Sequence, residues 1–299
     1  MNKLLICDPV DAFAIAEMRA AGIEVDVRDD ITPEALADII GDYDGMVVRS
    51  RTKVPAALLD RATKLKIIIR GGVGLDSIDV AYAERKGIRV VNTPAANSNA
   101  VVELVLGMML ALARHIVQAD NSMKAGKWEK KALSGTELEG KTLGIVGYGR
   151  IGQLLATKAR MLGMKVVAYD PYVKHNDITL LDQLLAQSDY VSLHVPLTEE
   201  TKDLIDAEAL GKIKPGAYLI QASRGGTVNE TALYEALVNG QLAGAAIDVF
   251  TQEPPKSDAL LKLTALPQVI TTPHIGAATD EALGRVGGEI AELAKAHLA

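Results

Sequence analysis

Leu143-Gly144-Ile145-Val146-Gly147-Tyr148-Gly149-Arg150-Ile151-Gly152 is the stretch whose reading decides the fold. An apolar run leads directly into a G-x-G-x-x-G, which opens an amphipathic helix running through Met161. Gly147 suits a tight turn, Gly149 lets backbone approach a pyrophosphate, and Gly152 lets the helix pack close to the strand. The helix start adds free N–H groups and a positive dipole end. In a chain with 26 glycines the spacing alone is weak. Its context is what counts. The next apolar run, Lys165 to Tyr169, ends on Asp170, 18 residues past Gly152, where an acid is expected at about 20. A carboxylate there accepts ribose hydroxyls and repels a 2′-phosphate, so NAD is favoured over NADP. An aspartate that merely opens the turn before Pro171 is the plainer reading. The order strand, glycines, helix, strand, acid favours dinucleotide binding.

Working outward, the alternation continues with Tyr190 to Val195, Ala217 to Ala222, Gly244 to Val249 and Gln268 to Thr272. With Thr142 to Tyr148 and Lys165 to Asp170 these make six strand candidates, the count of two mononucleotide-binding halves. Before them, Leu4 to Cys7, Glu24 to Val27, Met46 to Arg49, Ile67 to Arg70 and Val90 to Asn92 alternate with helical stretches Ala12 to Ala21, Pro33 to Ile40, Ala56 to Ala62 and Ser77 to Lys86. That pattern predicts a parallel sheet covered on both faces. One long helical tract, Ser98 to about Ala125, separates the two series. The last helix, Asp280 to Leu298, has no strand after it and is expected to return to the first unit. The predicted organisation is one α/β unit, 1–95 plus 280–299, and a nucleotide-binding domain, 96–279; the family resemblance given below implies that the first is the substrate domain.

The 299 residues suit two domains. Lys and Arg number 32 against 38 Asp and Glu, a net charge of −6, with 48% hydrophobic and 23% charged residues. This disfavours nucleic acid and anionic membranes as partners, since both need a concentrated positive field, and excludes fibrous or extensively disordered classes. The apolar stretch Val101 to Ala113 is too short to span a bilayer. One cysteine, Cys7, allows no internal disulfide, and no basic-then-apolar leader precedes Asp8. Both point to a reducing, cytoplasmic site.

Ligands in open α/β sheets bind beyond the carboxyl ends of the strands. The polar residues ending strands in the second half are His194, Arg224, Glu253 and His274. A guanidinium fork suits a carboxylate or carbonyl. Histidine can take a hydroxyl proton while the neighbouring carbon gives up hydride, and a carboxylate can stabilise the imidazolium. Each residue alone is more often a solvated or structural group, and spacing does not separate His194 from His274 as the base. No two histidines fall at ligand spacing, so no metal is expected. In the first unit Arg49, Arg51 and Arg70 lie at strand ends, where together they would attract a small anion.

At these residues the chain resembles the D-isomer-specific 2-hydroxyacid dehydrogenases, and within them the phosphoglycerate-oxidising branch. The resemblance is carried by Val48-Arg49-Ser50, Arg70-Gly71-Gly72-Val73-Gly74, Asn92-Thr93-Pro94, Gly135-Thr136-Glu137-Leu138, the glycine fingerprint, Ser223-Arg224-Gly225-Gly226, Asp248-Val249-Phe250 through Glu253-Pro254-Pro255, and Pro273-His274-Ile275-Gly276-Ala277. It implies a Rossmann NAD-binding domain inserted into a flavodoxin-like substrate domain, with a cleft between them and a homodimer or higher homo-oligomer formed through the region around Ser98 to Ala125. The catalytic set it implies is Arg224, Glu253 and His274, which assigns the base to His274 and leaves His194 along the cofactor. The implied NAD contacts are Arg150, Ile151, Asp170, Val195, Pro196, Ala222, Ser223, Asp248, Gly276 and Ala277. The implied anion site is Arg49, Arg70, Gly71 and Gly72, with Arg114 supplied by a partner subunit. Gly71 and Gln221 depart mildly from the family's usual alanine and asparagine. No counterpart of the C-terminal regulatory domain found in many relatives follows Ala299, so serine feedback through such a domain is not expected. The reaction implied is NAD-dependent oxidation of 3-phospho-D-glycerate. The rivals are a glyoxylate or hydroxypyruvate reductase and, from another class, an NAD-sensing corepressor on the same fold.

Overall fold

A computed structural model describes residues 1–299. The chain divides into two compact units, one of residues 1–98 and 277–299, the other of residues 99–276. The expected junctions, 95/96 and 279/280, differ from these by three residues each.

The first unit holds β1 (Lys3–Ile6), β2 (Glu24–Val27), β3 (Gly45–Val48), β4 (Ile67–Arg70) and β5 (Arg89–Asn92), all parallel, in the order β2-β1-β3-β4-β5. This is the flavodoxin-like order. Leu4, Ile6, Val47, Ile67 and Ile69 face one apolar layer, and Leu5, Met46, Val48 and Ile68 face the other. Burial on both faces explains why these strands read as continuous apolar runs. The helices α1 (Ala12–Ala20), α2 (Pro33–Ile39), α3 (Ala56–Arg61) and α4 (Val80–Arg85) connect these strands, and all but α3 start on a side-chain acceptor. Asp11, Thr32 and Asp79 accept from the first-turn N–H groups of α1, α2 and α4. The helix expected from Ser77 begins only at Val80, because Ile78 pairs with Val54 in a parallel bridge and Asp79 is the cap.

In the second unit the tract expected as one helix is two. α5 (Ser98–Ala113) and α6 (Ile116–Lys124) are bent by 64° at Arg114 and His115, the latter left-handed at φ +53°. The inward face of α5, with Val102, Val105 and Met109, is buried against Leu143, Ile145 and Tyr190 of the second sheet. At roughly 1.5–3 kcal/mol per fully buried large apolar side chain, that face fixes the helix to the sheet. The first turn of α6 makes no such seam, since Ile116 and Val117 stay exposed, and the chain turns away at the left-handed His115. No single helix is long and apolar enough to cross a membrane.

The second sheet contains β6 (Thr142–Val146), β7 (Lys165–Tyr169), β8 (Tyr190–Leu193), β9 (Ala217–Gln221), β10 (Leu242–Ile247) and β11 (Val269–Thr271), all parallel. Between them run α7 (Arg150–Met161), α8 (Leu181–Gln187), α9 (Ala207–Lys212), α10 (Glu230–Val238) and α11 (Asp258–Thr264). The sheet order is β11-β10-β9-β8-β6-β7. The expectation of two three-strand halves is therefore corrected: only β7 lies outside β6, and the chain after α8 crosses to the other side of β6 as β8. An isolated bridge from Ile178 to Ala168 extends the outer edge instead. The reversal between β6 and β8 is a switch point, where ligands of such sheets bind. The last helix, α12 (Asp280–Leu298), buries Val286, Ile290, Ala294 and Leu298 against β1, β3 and β4, which makes the first unit discontinuous in sequence.

Candidate active site

The glycine turn lies at the switch point. Gly147 has φ +96°, and a Cβ there would sit 2.5 Å from the His194 carbonyl oxygen, so neither the conformation nor the space admits a side chain. Gly152 is pressed against the Gly147 carbonyl, which would collide with any Cβ. A Cβ at Gly149, by contrast, would meet nothing within 4 Å. Gly149 caps α7 without any side-chain hydrogen bond, leaving the first N–H groups of the helix, at Arg150, Ile151 and Gly152, without a side-chain acceptor. Open space facing orphan donors is what a pyrophosphate requires, so these residues fit a dinucleotide. Asp170 ends β7 as expected. One carboxylate oxygen accepts from the Tyr148 N–H at 2.8 Å and the other from the Tyr172 N–H at 2.9 Å, which ties the acid to the glycine turn.

The variable residue of the fingerprint has a role that spacing did not reveal. Tyr148 is only 2% exposed, and its hydroxyl donates to Asp177, which also holds the Arg160 guanidinium. Burial and the Asp177 carboxylate push the Tyr148 phenol up from its ordinary value. Asp177 is 29 residues away, beyond any local pattern.

The two histidines that spacing left equivalent have different surroundings. His194 follows β8, its ring Nε2 is 2.9 Å from Ser192 Oγ, and its Nδ1 is buried without a partner. Burial lowers its pKa to about 4, so the ring is neutral at ordinary pH. Val195 and Pro196 follow it toward the surface. His274 lies beyond β11 with its Nδ1 2.7 Å from Glu253 Oε2. The other Glu253 oxygen accepts from the Phe250 N–H at 3.1 Å, which aims the carboxylate. The structure thus joins His274 to a carboxylate 21 residues earlier and gives His194 none.

His274 is held in an uncommon backbone state, φ +54°, which costs a non-glycine residue on the order of 1 kcal/mol or more. Asp248 holds it there. This carboxylate, 1% exposed at the end of β10, accepts from Thr272 Oγ1 at 2.5 Å, the Ile275 N–H at 2.8 Å and the Gly276 N–H at 2.9 Å, while its carbonyl accepts from the His274 N–H at 2.9 Å. A carboxylate offers about four acceptor positions, and three are filled inside the loop. Asp248, read from the sequence as a cofactor contact, therefore also organises the loop that carries the histidine. Ala277 follows that loop directly. A cavity of about 390 Å³ adjoins the pair, lined in part by Asp248, Glu253, Pro254, Thr272 and His274.

Arg224 lies in the β9–α10 loop after Ala222 and Ser223, and its Nη1 donates to the Ser223 carbonyl at 2.7 Å. In the first unit Arg49 and Arg70 end adjacent strands, with Val48 paired to Arg70. Arg49 is half-buried and donates to the Pro9 carbonyl at 3.3 Å. Arg70 donates to the Gly71 carbonyl at 3.1 Å and lies over Gly72, where a Cβ would overlap its guanidinium. Gly71 is buried against Val286 and Ile290. Arg51, grouped with them from the sequence, is committed elsewhere: it pairs with buried Asp8 at 2.9 Å and donates to the Cys7 and Asp29 carbonyls. That correction was invisible in the sequence, since Asp8 is 43 positions away. Arg114 is exposed at the bend between α5 and α6.

Residues 106–276, more than half of the chain, match the family described as D-isomer specific 2-hydroxyacid dehydrogenase, NAD binding domain. The chain belongs to that family. Among its relatives within these dehydrogenases, a hydroxypyruvate reductase of Thermotoga maritima is 48% identical over 97% of this chain and 96% of its own. A D-3-phosphoglycerate dehydrogenase of Methanocaldococcus jannaschii is 45% identical over 99% of this chain, which spans 57% of that relative's length. A crystal structure of D-lactate dehydrogenase from Aquifex aeolicus, complexed with NAD and lactic acid, superposes with a TM-score of 0.87 at 32% identity, covering 99% of this chain and 95% of that one. The family's NAD-binding domain coincides with the unit whose glycine turn and Asp170 fit the cofactor.

Proposed function

We propose that this chain interconverts 3-phospho-D-glycerate and 3-phosphohydroxypyruvate with NAD as hydride carrier. The observation that supports a dehydrogenase mechanism is the 2.7 Å contact between His274 and Glu253 on a loop held by Asp248. The glycine turn, the first N–H groups of α7 and Asp170 would hold NAD, which when bound would supply the acceptor for the substrate's hydride. Arg224 binds the substrate carboxylate and polarises the oxo group. His274, its Nδ1 held by Glu253, takes the hydroxyl proton through Nε2 as the alcohol is oxidised and returns it in reduction. Glu253 orients the ring and stabilises the imidazolium. Arg49 and Arg70 bind the far, phosphorylated end of the substrate; Gly71, expected to line it, instead packs on α12 and donates its N–H to the Val48 carbonyl, and Gly72 makes room for the Arg70 guanidinium.

A second reading, reduction of hydroxypyruvate or glyoxylate, is favoured by the Thermotoga relative, which matches along nearly its whole length. The two are separated by comparing NADH-dependent reduction of 3-phosphohydroxypyruvate, hydroxypyruvate and glyoxylate. On the first reading Arg49→Ala and Arg70→Ala raise KM for the phosphorylated acid by about 10- to 100-fold, as loss of a charge-assisted contact requires, and leave glyoxylate nearly untouched. Equal effects on all three substrates support the second. Turnover of none overturns both.

The chain is further proposed to act as a homo-oligomer through α5 and α6, where Leu110, Ile116, Val117 and Met123 are exposed, with Arg114 reaching the partner's substrate. Sedimentation of a monomer would refute this. A reducing, cytoplasmic location is proposed from the single buried thiol, Cys7, whose pKa is pushed up to about 12 mainly by burial.

A further inference from the structure

Gln221 ends β9 and is 3% exposed, at a place where a buried amide must have its hydrogen bonds met. Its Nε2 donates to the Arg224 carbonyl at 2.9 Å and to Thr227 Oγ1 at 2.7 Å. Its Oε1 accepts from Ser223 Oγ at 2.9 Å. Thr227, fully buried, donates its own hydroxyl hydrogen to the same Arg224 carbonyl at 2.9 Å. Both amide hydrogens and the amide oxygen of Gln221 are thereby used, and the network closes on itself around one backbone carbonyl. The other side of the strand is fixed as well, because the Asp248 N–H donates to the Gln221 carbonyl at 2.8 Å. Gln221 thus holds the arginine loop through its side chain, and through its backbone it pairs with the strand whose end holds the histidine loop.

We infer that Gln221, together with Thr227, is a positioning residue that sets the height and direction of Arg224 for the substrate carboxylate. The inference rests on the reading of Arg224 given under Proposed function. An arginine fork recognises a carboxylate only when both donors are in plane with it, and a shift of about 1 Å in a positioning group can cost up to 100-fold in rate. Side chains at the surface hold an arginine loosely. A closed buried network holds its backbone to one conformation. Apolar residues of similar shape at 221 and 227 would keep the packing and release the carbonyl.

The test uses the full chain and four variants, Gln221→Met, Thr227→Val, the double variant of these two, and Arg224→Gln, with NADH affinity read by fluorescence, steady-state reduction of hydroxypyruvate, and binding of oxamate to the NADH complex as a probe of the carboxylate site. Gln221→Met and Thr227→Val are expected to raise KM and weaken oxamate by about tenfold each, with unchanged NADH affinity. Their effects combine to less than the product in the double variant, because both act on one carbonyl. A purely structural role would lower the melting temperature and the active fraction but leave KM and oxamate affinity at wild-type values, and that result overturns the inference. Should Gln221→Met not fold, Thr227→Val decides alone. If Arg224→Gln itself keeps wild-type KM and oxamate affinity, the reading of Arg224 falls and the inference with it. If Arg224→Gln loses both while Gln221→Met and Thr227→Val keep them, only the positioning inference falls.

Discussion

Replacing Asp248 by asparagine removes the charge that holds the His274 loop while keeping its size. One oxygen remains and can still accept from Thr272 Oγ1 and the Ile275 N–H, but the new amide nitrogen faces the Gly276 N–H, donor against donor. A hydrogen bond to a charged group contributes about 1.5–3 kcal/mol, and leaving its buried partner unsatisfied costs about 1–3 kcal/mol. The two bonds that survive also lose their charge assistance, so about 3 kcal/mol of loop fixation is lost. The left-handed backbone of His274, at φ +54°, itself costs about 1–3 kcal/mol, so the loop relaxes and takes the imidazole off Glu253. A loss of about 3 kcal/mol in the transition state corresponds to a fall of roughly 100-fold in kcat. The assay is NADH consumption with hydroxypyruvate, both saturating, with NADH affinity measured separately so that a direct cofactor effect is seen as such. Wild-type kcat in Asp248→Asn would refute the account of the loop, and weakened NADH binding with unchanged kcat would make Asp248 a cofactor contact alone.

His194 predicts a pH dependence of stability. Its folded pKa, about 4, lies below the ordinary 6.5 because of burial, so between those values the unfolded chain binds a proton that the native chain does not. Its contribution to stability is full above about pH 6.5, falls by about 3 kcal/mol as pH drops to about 4, and is flat below that. Melting temperatures from pH 7 to pH 4.5 should fall less steeply for His194→Asn, and parallel curves would contradict the burial of this ring. Gly152→Ala places a methyl against the Gly147 carbonyl; overpacking of this kind costs about 1–3 kcal/mol, and NADH affinity is expected to drop at least tenfold. An undisturbed affinity would mean that the glycine turn does not carry the pyrophosphate.

Most of the fold was legible along the chain because its determinants are local and periodic. Buried parallel strands read as apolar runs, and α12 is recovered at its full length. The break at His115 and the crossing after α8 were not legible, since both depend on which face finds a neighbour in space. The same division runs through the site. The glycine fingerprint and Asp170 could be read because a phosphate turn needs its residues consecutive, whereas the partners that orient the chemistry lie 21 to 28 positions apart. Residue type and strand-end position nominated His194 and His274 alike. Only folding decided that one is half-buried and neutral beside Ser192 and the other meets Glu253, because burial and the approach of a charge are properties of three-dimensional surroundings.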